Sequence, residues 1–288
     1  MFAITGITGQ VGGQLAHELL RAGCKVRGVL RDAAKAPGWI ERGCAIVLAA
    51  MDDAAALATA FGGAEAVFVL LPPIFDPAPG FAATRHHIAA LASALASARP
   101  QRVVCLSTIG AQAEQENLLT QLQIMERVLG KLPMPVAFLR AAWFIENIAW
   151  DIEQARRTGL LASFLQPLDK PVPMVATADV ARLAARLLQE TWKGQRIVEL
   201  EGPRRITPRD LAVALTDALD REVTAQPVPR ASWEGLFQAQ GMNNPVPRMR
   251  MLDGFNEGWI EFAGGAAGSR KGNTPLRDVI RGLVAGAG

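Results

Sequence analysis

The residues best able to do chemistry stand near the start of the chain. Gly6-Ile7-Thr8-Gly9-Gln10-Val11-Gly12 separates a short apolar run, Phe2 to Thr5, from Gln14 to Ala22. In that second segment Leu15, Leu19, Leu20 and Ala22 share one helical face. A glycine-rich turn between a strand and a helix suits a diphosphate. Gly6 permits the tight turn, Gly9 admits a ligand where a Cβ would obstruct it, and Gly12 lets the helix lie close to the strand. The free N–H groups and positive dipole end of the helix then face the anion. The spacing is G-x-x-G-x-x-G, and the second strand, Lys25 to Leu30, ends at Arg31. A carboxylate at that position would bind a ribose 2′-hydroxyl, whereas a guanidinium makes a two-pronged contact with a 2′-phosphate, so the expected cofactor is NADP(H). Lys35 adds a second positive charge. Asp52 or Asp53 falls near the adenine position, although Asp53 suits helix capping equally well.

These residues need a frame, and the chain supplies one by alternating strands with helices. Apolar strands are expected at Ala45–Ala49, Ala66–Leu71, Val103–Leu106 and Val136–Leu139, with helices at Ala54–Phe61, Phe81–Ser97 and Glu116–Gly130 between them. That order predicts an α/β, Rossmann-type doubly wound parallel sheet. Its ligand crevice lies beyond the carboxyl ends of the strands, and the glycine turn, Arg31, Leu71–Pro73, Ser107 and Ala141–Asn147 all fall there. The loop from Pro72 to Gly80 carries four prolines, Ile74 and Phe75. It forms either a cleft wall or packed surface. After residue 150 prolines become frequent. Helices at Ala178–Glu190, Pro208–Leu219, Ser232–Gln240 and Arg248–Phe262 surround short strands near Ile197–Glu201 and Val223–Pro227. The expected division is a dinucleotide-binding domain over 1–150 and a smaller, mainly helical lobe over 151–288, with Ala178–Glu190 packing back on the sheet. Asn243–Pro247 reads as a mobile loop and Gly264–Gly272 as a glycine-rich connector.

Composition narrows the function. Half of the 288 residues are apolar, a fifth are charged, and the net charge is only +3. A sizeable core is available, and nucleic acid is not an implied partner. Cys24, Cys44 and Cys105 show no metal-ligand spacing, and an odd cysteine count without a signal peptide suggests a reducing, cytoplasmic setting. No apolar run is long enough to span a membrane. A homodimer is left open. The chain contains no tyrosine, so a phenolic proton donor is excluded.

Taken together, these residues resemble the NmrA-like group of atypical short-chain dehydrogenases/reductases. The likeness runs through Thr5–Gly12, Val29–Asp32 with Lys35, Leu106–Ala111, Leu139–Asn147, Ala178–Ala181, Leu200–Pro203 and Ile206–Pro208, and so covers nearly the whole chain. Arg140-Ala141-Ala142-Trp143-Phe144-Ile145-Glu146-Asn147 is its most specific element. Within the group the chain looks most like bacterial NADPH:quinone oxidoreductases and azo-dye reductases. The resemblance implies backbone contacts to the diphosphate at Thr8, Gly9, Gln10 and Val11, and a 2′-phosphate contact at Arg31. It also implies a nicotinamide beside Leu71, Pro72, Ala141 and Trp143–Phe144, and a substrate-facing amide at Asn147.

The departure from the wider superfamily concerns catalysis. Typical members carry a Tyr-x-x-x-Lys pair on the helix after the fifth strand. Here Leu122 stands where many relatives carry lysine. Ser107 remains, but a serine without a base partner is no acid at neutral pH. Carbonyl reduction would lack its proton donor, whereas a quinone accepts hydride as a delocalised, phenolate-like anion that needs little protonation. The expected function is therefore an NADPH-dependent reductase of quinones or similar flat acceptors. Phe75, Trp143 and Phe144 would form an aromatic wall, Asn147 would orient the acceptor oxygen, and Ser107 would lie nearby. Packing between the lobes suits Trp143 and Phe144 as well. A non-catalytic NADP(H) sensor acting through a protein partner is the alternative. His86, His87 and Glu146 are further titratable candidates, for which packing or solvation is the commoner fate.

Overall fold

The computed structural model describes residues 1–286. The first half alternates strand and helix: β1 (Phe2–Thr5), α1 (Gln10–Arg21), β2 (Val26–Leu30), α2 (Ala36–Glu41), β3 (Ala45–Leu48), α3 (Ala54–Phe61), β4 (Ala66–Val69), α4 (Ala82–Ala98), β5 (Arg102–Thr108), α5 (Thr120–Leu129) and β6 (Val136–Ala141). The second half runs β7 (Trp143–Phe144), a 3₁₀ segment (Ile145–Trp150), α6 (Ile152–Thr158), β8 (Leu160–Ser163), β9 (Met174–Val175), α7 (Thr177–Gln189) and β10 (Gln195–Glu201). It ends with α8 (Pro208–Leu219), β11 (Thr224–Pro227), α9 (Trp233–Ala239), α10 (Val246–Glu257), α11 (Gly265–Gly268), β12 (Arg270–Lys271) and α12 (Leu276–Gly286).

Eight parallel strands form one sheet in the order β12-β10-β6-β5-β4-β1-β2-β3. The strand order reverses between β1 and β4, so a crevice opens there beyond the carboxyl ends, as the sequence pattern predicts. Period-two alternation splits the core cleanly between the two faces. Ile4, Phe68, Val104 and Leu139 point to the layer of α1 and α7, where they meet Leu15, Leu19, Leu183 and Leu187. Their neighbours Ala3, Val67, Val103 and Phe138 point to α3, α4 and α5, against Leu57, Phe61, Leu91, Leu95 and Met125. Because both faces are covered, these strands read as continuous apolar runs.

Residues beyond 150 contribute directly to this sheet. Ile197–Glu201, expected within the smaller lobe, belongs instead to β10, which pairs with β6 in the register Val198↔Leu139 and Leu200↔Ala141. Its alternation buries Val198 and Leu200 against the α7 side of the sheet, which satisfies an edge that β6 would otherwise expose. α7 packs along α1. The glycine-rich connector folds into α11 and β12, the latter lying beside β10. α5 begins at Thr120 rather than Glu116, because Asn117 and Thr120 close local turns through their side chains. α10 begins at Val246, with a proline in its first turn where the missing N–H is harmless.

Candidate active site

The glycine turn has the geometry of an anion cradle. Gly6 adopts φ +67°, a left-handed conformation that a side chain would strain. At Gly12 a Cβ would stand 2.2 Å from the Gly6 carbonyl oxygen, so glycine is required for α1 to approach the turn. Gly9 differs. Its backbone is extended (φ −90°, ψ 173°), and a Cβ there would meet only the Gly6 oxygen, at 3.4 Å. The fold itself does not need glycine at this position. No side chain caps α1 and no acidic residue stands in its first turn, so the unpaired first-turn N–H groups are open to a diphosphate. Thr8, Gly9 and Gln10 are exposed, while Val11 is buried under the turn.

Arg31 and Lys35 follow β2 and are both exposed; among the described residues neither forms an ion pair. Asp32, between them, is occupied in capping the next turn through Ala34 N–H at 3.0 Å. The two positive charges are thus free beyond the end of β2. Asp53 caps α3 by accepting from Ala56 N–H at 2.9 Å, while Asp52 is exposed. Leu71 and Pro72, both half-buried, follow β4. Just before them the Thr5 hydroxyl accepts from Leu70 N–H at 2.8 Å and fixes the two strand ends together. Ala141, fully buried, ends β6 directly below Trp143. These residues suit a dinucleotide: a helix terminus without a cap, a turn that a Cβ would fill, and free cations at the far end.

Ser107 departs from expectation. The sequence reads it as a serine without a base partner, yet its hydroxyl donates to Glu126 Oε1 at 2.6 Å. Glu126 in turn accepts from Arg140 at both oxygens, Nε–H to Oε1 at 2.9 Å and Nη2–H to Oε2 at 2.6 Å. All three groups are nearly buried. Ser107 and Arg140 are register partners on β5 and β6, and Arg140 and Glu199 are partners on β6 and β10, which places a polar row across the sheet. Burial by itself would lower the Arg140 pKa, but hydrogen bonding to Glu126 and the charges of Glu126 and Glu199 outweigh it and raise it. Three hydrogen bonds thus converge on the Glu126 carboxylate. It orients Ser107 without making it an acid.

Trp143, Phe144 and Asn147 leave the sheet edge on β7 and the 3₁₀ segment, and all three are half-buried. The Trp143 ring meets Phe255 of α10 edge-on at 5.3 Å between centroids. Phe75, 48% exposed, meets Trp150 edge-on at 6.0 Å. Glu146 is neither solvated nor salt-bridged. Its Oε1 accepts from Thr177 N–H at 2.8 Å and Thr177 Oγ1–H at 2.6 Å, which ties the segment to the start of α7. Burial raises its pKa against these hydrogen bonds. The neighbouring Asn147 amide has no such partner among the described residues. The expected mobile loop is latched: Asp76 accepts from Asn243 N–H (2.9 Å), Asn243 Nδ2–H (3.0 Å) and Asn244 N–H (2.7 Å), bonds that hold its pKa below the usual value. Trp150 and Phe255 were not foreseen as the partners of Phe75 and Trp143, because the residues of each pair lie far apart in the chain. His86 is exposed and His87 half-buried on α4.

Comparison with known proteins places this geometry. A family model described as NAD(P)H-binding matches residues 6–191. The chain is 25% identical over 251 residues to quinone oxidoreductase 2 of Escherichia coli, covering 86% of this chain and 85% of that one. It is 25% identical over 225 residues to the NAD(P)H azoreductase of Xenophilus azovorans, covering 77% and 75%. The crystal structure of the NADPH-dependent quinone oxidoreductase of Escherichia coli with NADPH superposes with a TM-score of 0.80 at 22% identity, over 98% of this chain and 99% of that one. The fold is therefore shared end to end, and the chain belongs to the NAD(P)H-binding family as an NAD(P)H-dependent oxidoreductase.

Proposed function

We propose that the protein reduces quinones, azo compounds or similarly flat, electrophilic acceptors with NADPH, without a Tyr/Lys dyad. The observation that carries this is the acceptor side of the crevice. Phe75 packs edge-on against Trp150 and Trp143 against Phe255, there is no tyrosine in the chain, and Ser107 is committed to a nearly buried carboxylate. Gly6, Thr8, Gly9, Gln10, Val11 and Gly12 would hold the diphosphate, Arg31 and Lys35 the 2′-phosphate, and Asp52 the adenosine end. Leu71, Pro72, Ala141 and Trp143 would flank the nicotinamide, which when bound in reduced form supplies a hydride. The chain's own part is then positioning. The aromatic rim stacks a flat ring, the Asn147 amide fixes an acceptor oxygen or nitrogen, and lobe-to-lobe contacts narrow the water-accessible mouth. The two relatives named as quinone and azo reductases support this acceptor class. The test is NADPH oxidation with a panel of quinones and an azo dye, measured against enzyme-free controls. Tight NADPH binding with no turnover above control on any acceptor would refute the reductase and leave a nucleotide-binding regulator.

A further inference from the structure

We propose that Glu146 is the positioning residue of the acceptor site: through Thr177 and Gln14 it ties the segment carrying the Asn147 amide to the helix that begins at the glycine turn. This rests on the reductase reading above, in which that amide orients the acceptor, and names what holds the amide in register with the cofactor.

The need arises from how the segment is anchored. Asn147 lies in the 3₁₀ stretch Ile145–Trp150, where residues three apart fall on one side. Ile145 and Ile148 form such a side, 2% and 6% exposed, and both belong to the core shared with α1 and α7. Apolar burial is non-directional, so it fixes where the segment sits and leaves its roll about its own axis weakly determined. Hydrogen bonds are directional and supply that restraint. The Asn147 side chain makes none among the described residues, whereas the side chain of its neighbour Glu146 makes two.

Both bonds end on Glu146 Oε1. Thr177 N–H donates at 2.8 Å and Thr177 Oγ1–H at 2.6 Å. The fully buried Thr177 hydroxyl accepts in turn from Gln14 Nε2–H at 3.1 Å. Gln14 stands on α1, two residues beyond Gly12. Two hydrogen bonds thus run from the helix of the glycine turn to the residue beside Asn147. Each polarity is met, amide N–H to hydroxyl oxygen and then hydroxyl O–H to carboxylate, and bonds in such a chain strengthen one another.

The arrangement is more than the fold requires. Ala176 occupies the N-cap of α7 and has no side chain to close it. A serine or aspartate at that position would do so locally. Here the closing group comes from thirty-one positions away, and its second oxygen, Oε2, is buried with no partner among the described residues. Burying an unpaired carboxylate oxygen opposes folding. What the distant carboxylate adds, and a local cap would not, is the link between α7, α1 and the acceptor segment.

The test is a double-variant cycle on Glu146 and Asn147, assayed with benzoquinone at saturating NADPH. Rates are normalised to NADPH-binding sites counted by titration. Glu146→Ala should lower kcat about tenfold and leave NADPH affinity within about twofold of wild type, since orientation is lost and cofactor binding is not. Glu146→Gln keeps an oxygen for both Thr177 donors and should stay within about threefold of wild type. Thr177→Val removes the link to Gln14 but keeps the backbone N–H; its kcat should fall between the two, and it stands in if Glu146→Ala folds poorly. In an Asn147→Ala background, Glu146→Ala should cost less than about a further twofold, because no amide is left to position. A purely structural glutamate would instead give multiplicative losses.

A second readout needs no turnover. In protein saturated with NADP+, the Asn147 side-chain N–H2 resonances are identified by their absence from Asn147→Ala. They should form one sharp pair in wild type and Glu146→Gln, and broaden or split in Glu146→Ala. Multiplicative losses in the cycle, wild-type kcat in Glu146→Ala, or an Asn147 pair unmoved by it would each overturn the assignment while sparing the reductase. Wild-type kcat in Asn147→Ala would also overturn it, as nothing would remain to be positioned. Wild-type protein inert to every acceptor would overturn the two readings together.

Discussion

Two glycines of the same turn should fail in opposite ways when each gains one methyl group. In Gly12→Ala the new Cβ would stand 2.2 Å from the Gly6 oxygen and 2.7 Å from the Gly6 carbonyl carbon. The closer contact is roughly 1.3 Å inside ordinary van der Waals separation. Both atoms are backbone, so neither can rotate away, and α1 must lift from the turn. Overpacking of this kind costs about 3 kcal/mol, the upper end of the usual range. For a chain of 288 residues that lowers Tm by about 5 °C. In Gly9→Ala the Cβ meets only the Gly6 oxygen at 3.4 Å, and the backbone is already extended. Tm should hold to within about 1 °C. NADPH should nevertheless bind about thirtyfold more weakly, because displacing the diphosphate from the helix N–H groups forfeits about 2 kcal/mol of charge-assisted hydrogen bonding. Calorimetric titration and thermal melts on both variants read the two effects separately. Wild-type NADPH affinity in Gly9→Ala would refute the cradle assignment, and a wild-type Tm in Gly12→Ala would refute the packing argument.

Other outcomes follow from the same geometry. Arg31→Asp should weaken NADPH binding by about 2 kcal/mol through a lost charge-assisted contact and added repulsion, while NADH binding changes far less; equal losses for the two nucleotides would remove the 2′-phosphate role. Arg140→Met should destabilise the fold by about 3–5 kcal/mol, because Glu126 is left buried without its partner. Adding Glu126→Gln should recover part of that loss, which a denaturation series on the single and double variants measures. Ser107→Ala should lower quinone turnover by less than about tenfold, whereas Asn147→Ala should lower it more, since orientation and not acidity is at stake; steady-state kinetics in which the serine variant is the worse of the two would reverse those roles.

The geometry of the glycine turn is legible in the sequence because local chemistry encodes it. A glycine with positive φ, a glycine under a packed helix and a cation after the second strand all act within about thirty residues of each other, and strand-helix alternation then sets their common edge. Long-range partnerships are not encoded that way. Ser107 and Glu126 are separated by nineteen positions, and only the register of β5 and β6 reveals that Arg140 lies between them. A signal did exist: an arginine closing the apolar run Val136–Leu139 must find a carboxylate if it is buried. β10 was likewise recognisable as a strand, but its partner was not, since parallel pairing carries no turn to announce it.

The acceptor half follows a different logic. Phe75 and Trp150, Trp143 and Phe255, and Asp76 and Asn243 each join segments far apart in the sequence. The glycine cradle can therefore persist while the acceptor changes. Substitutions on α10 or between residues 143 and 151 alter the aromatic rim and its charge without touching the turn that holds the diphosphate. The Ser107–Glu126–Arg140 network lies within the fold, and its serine hydroxyl donates to Glu126.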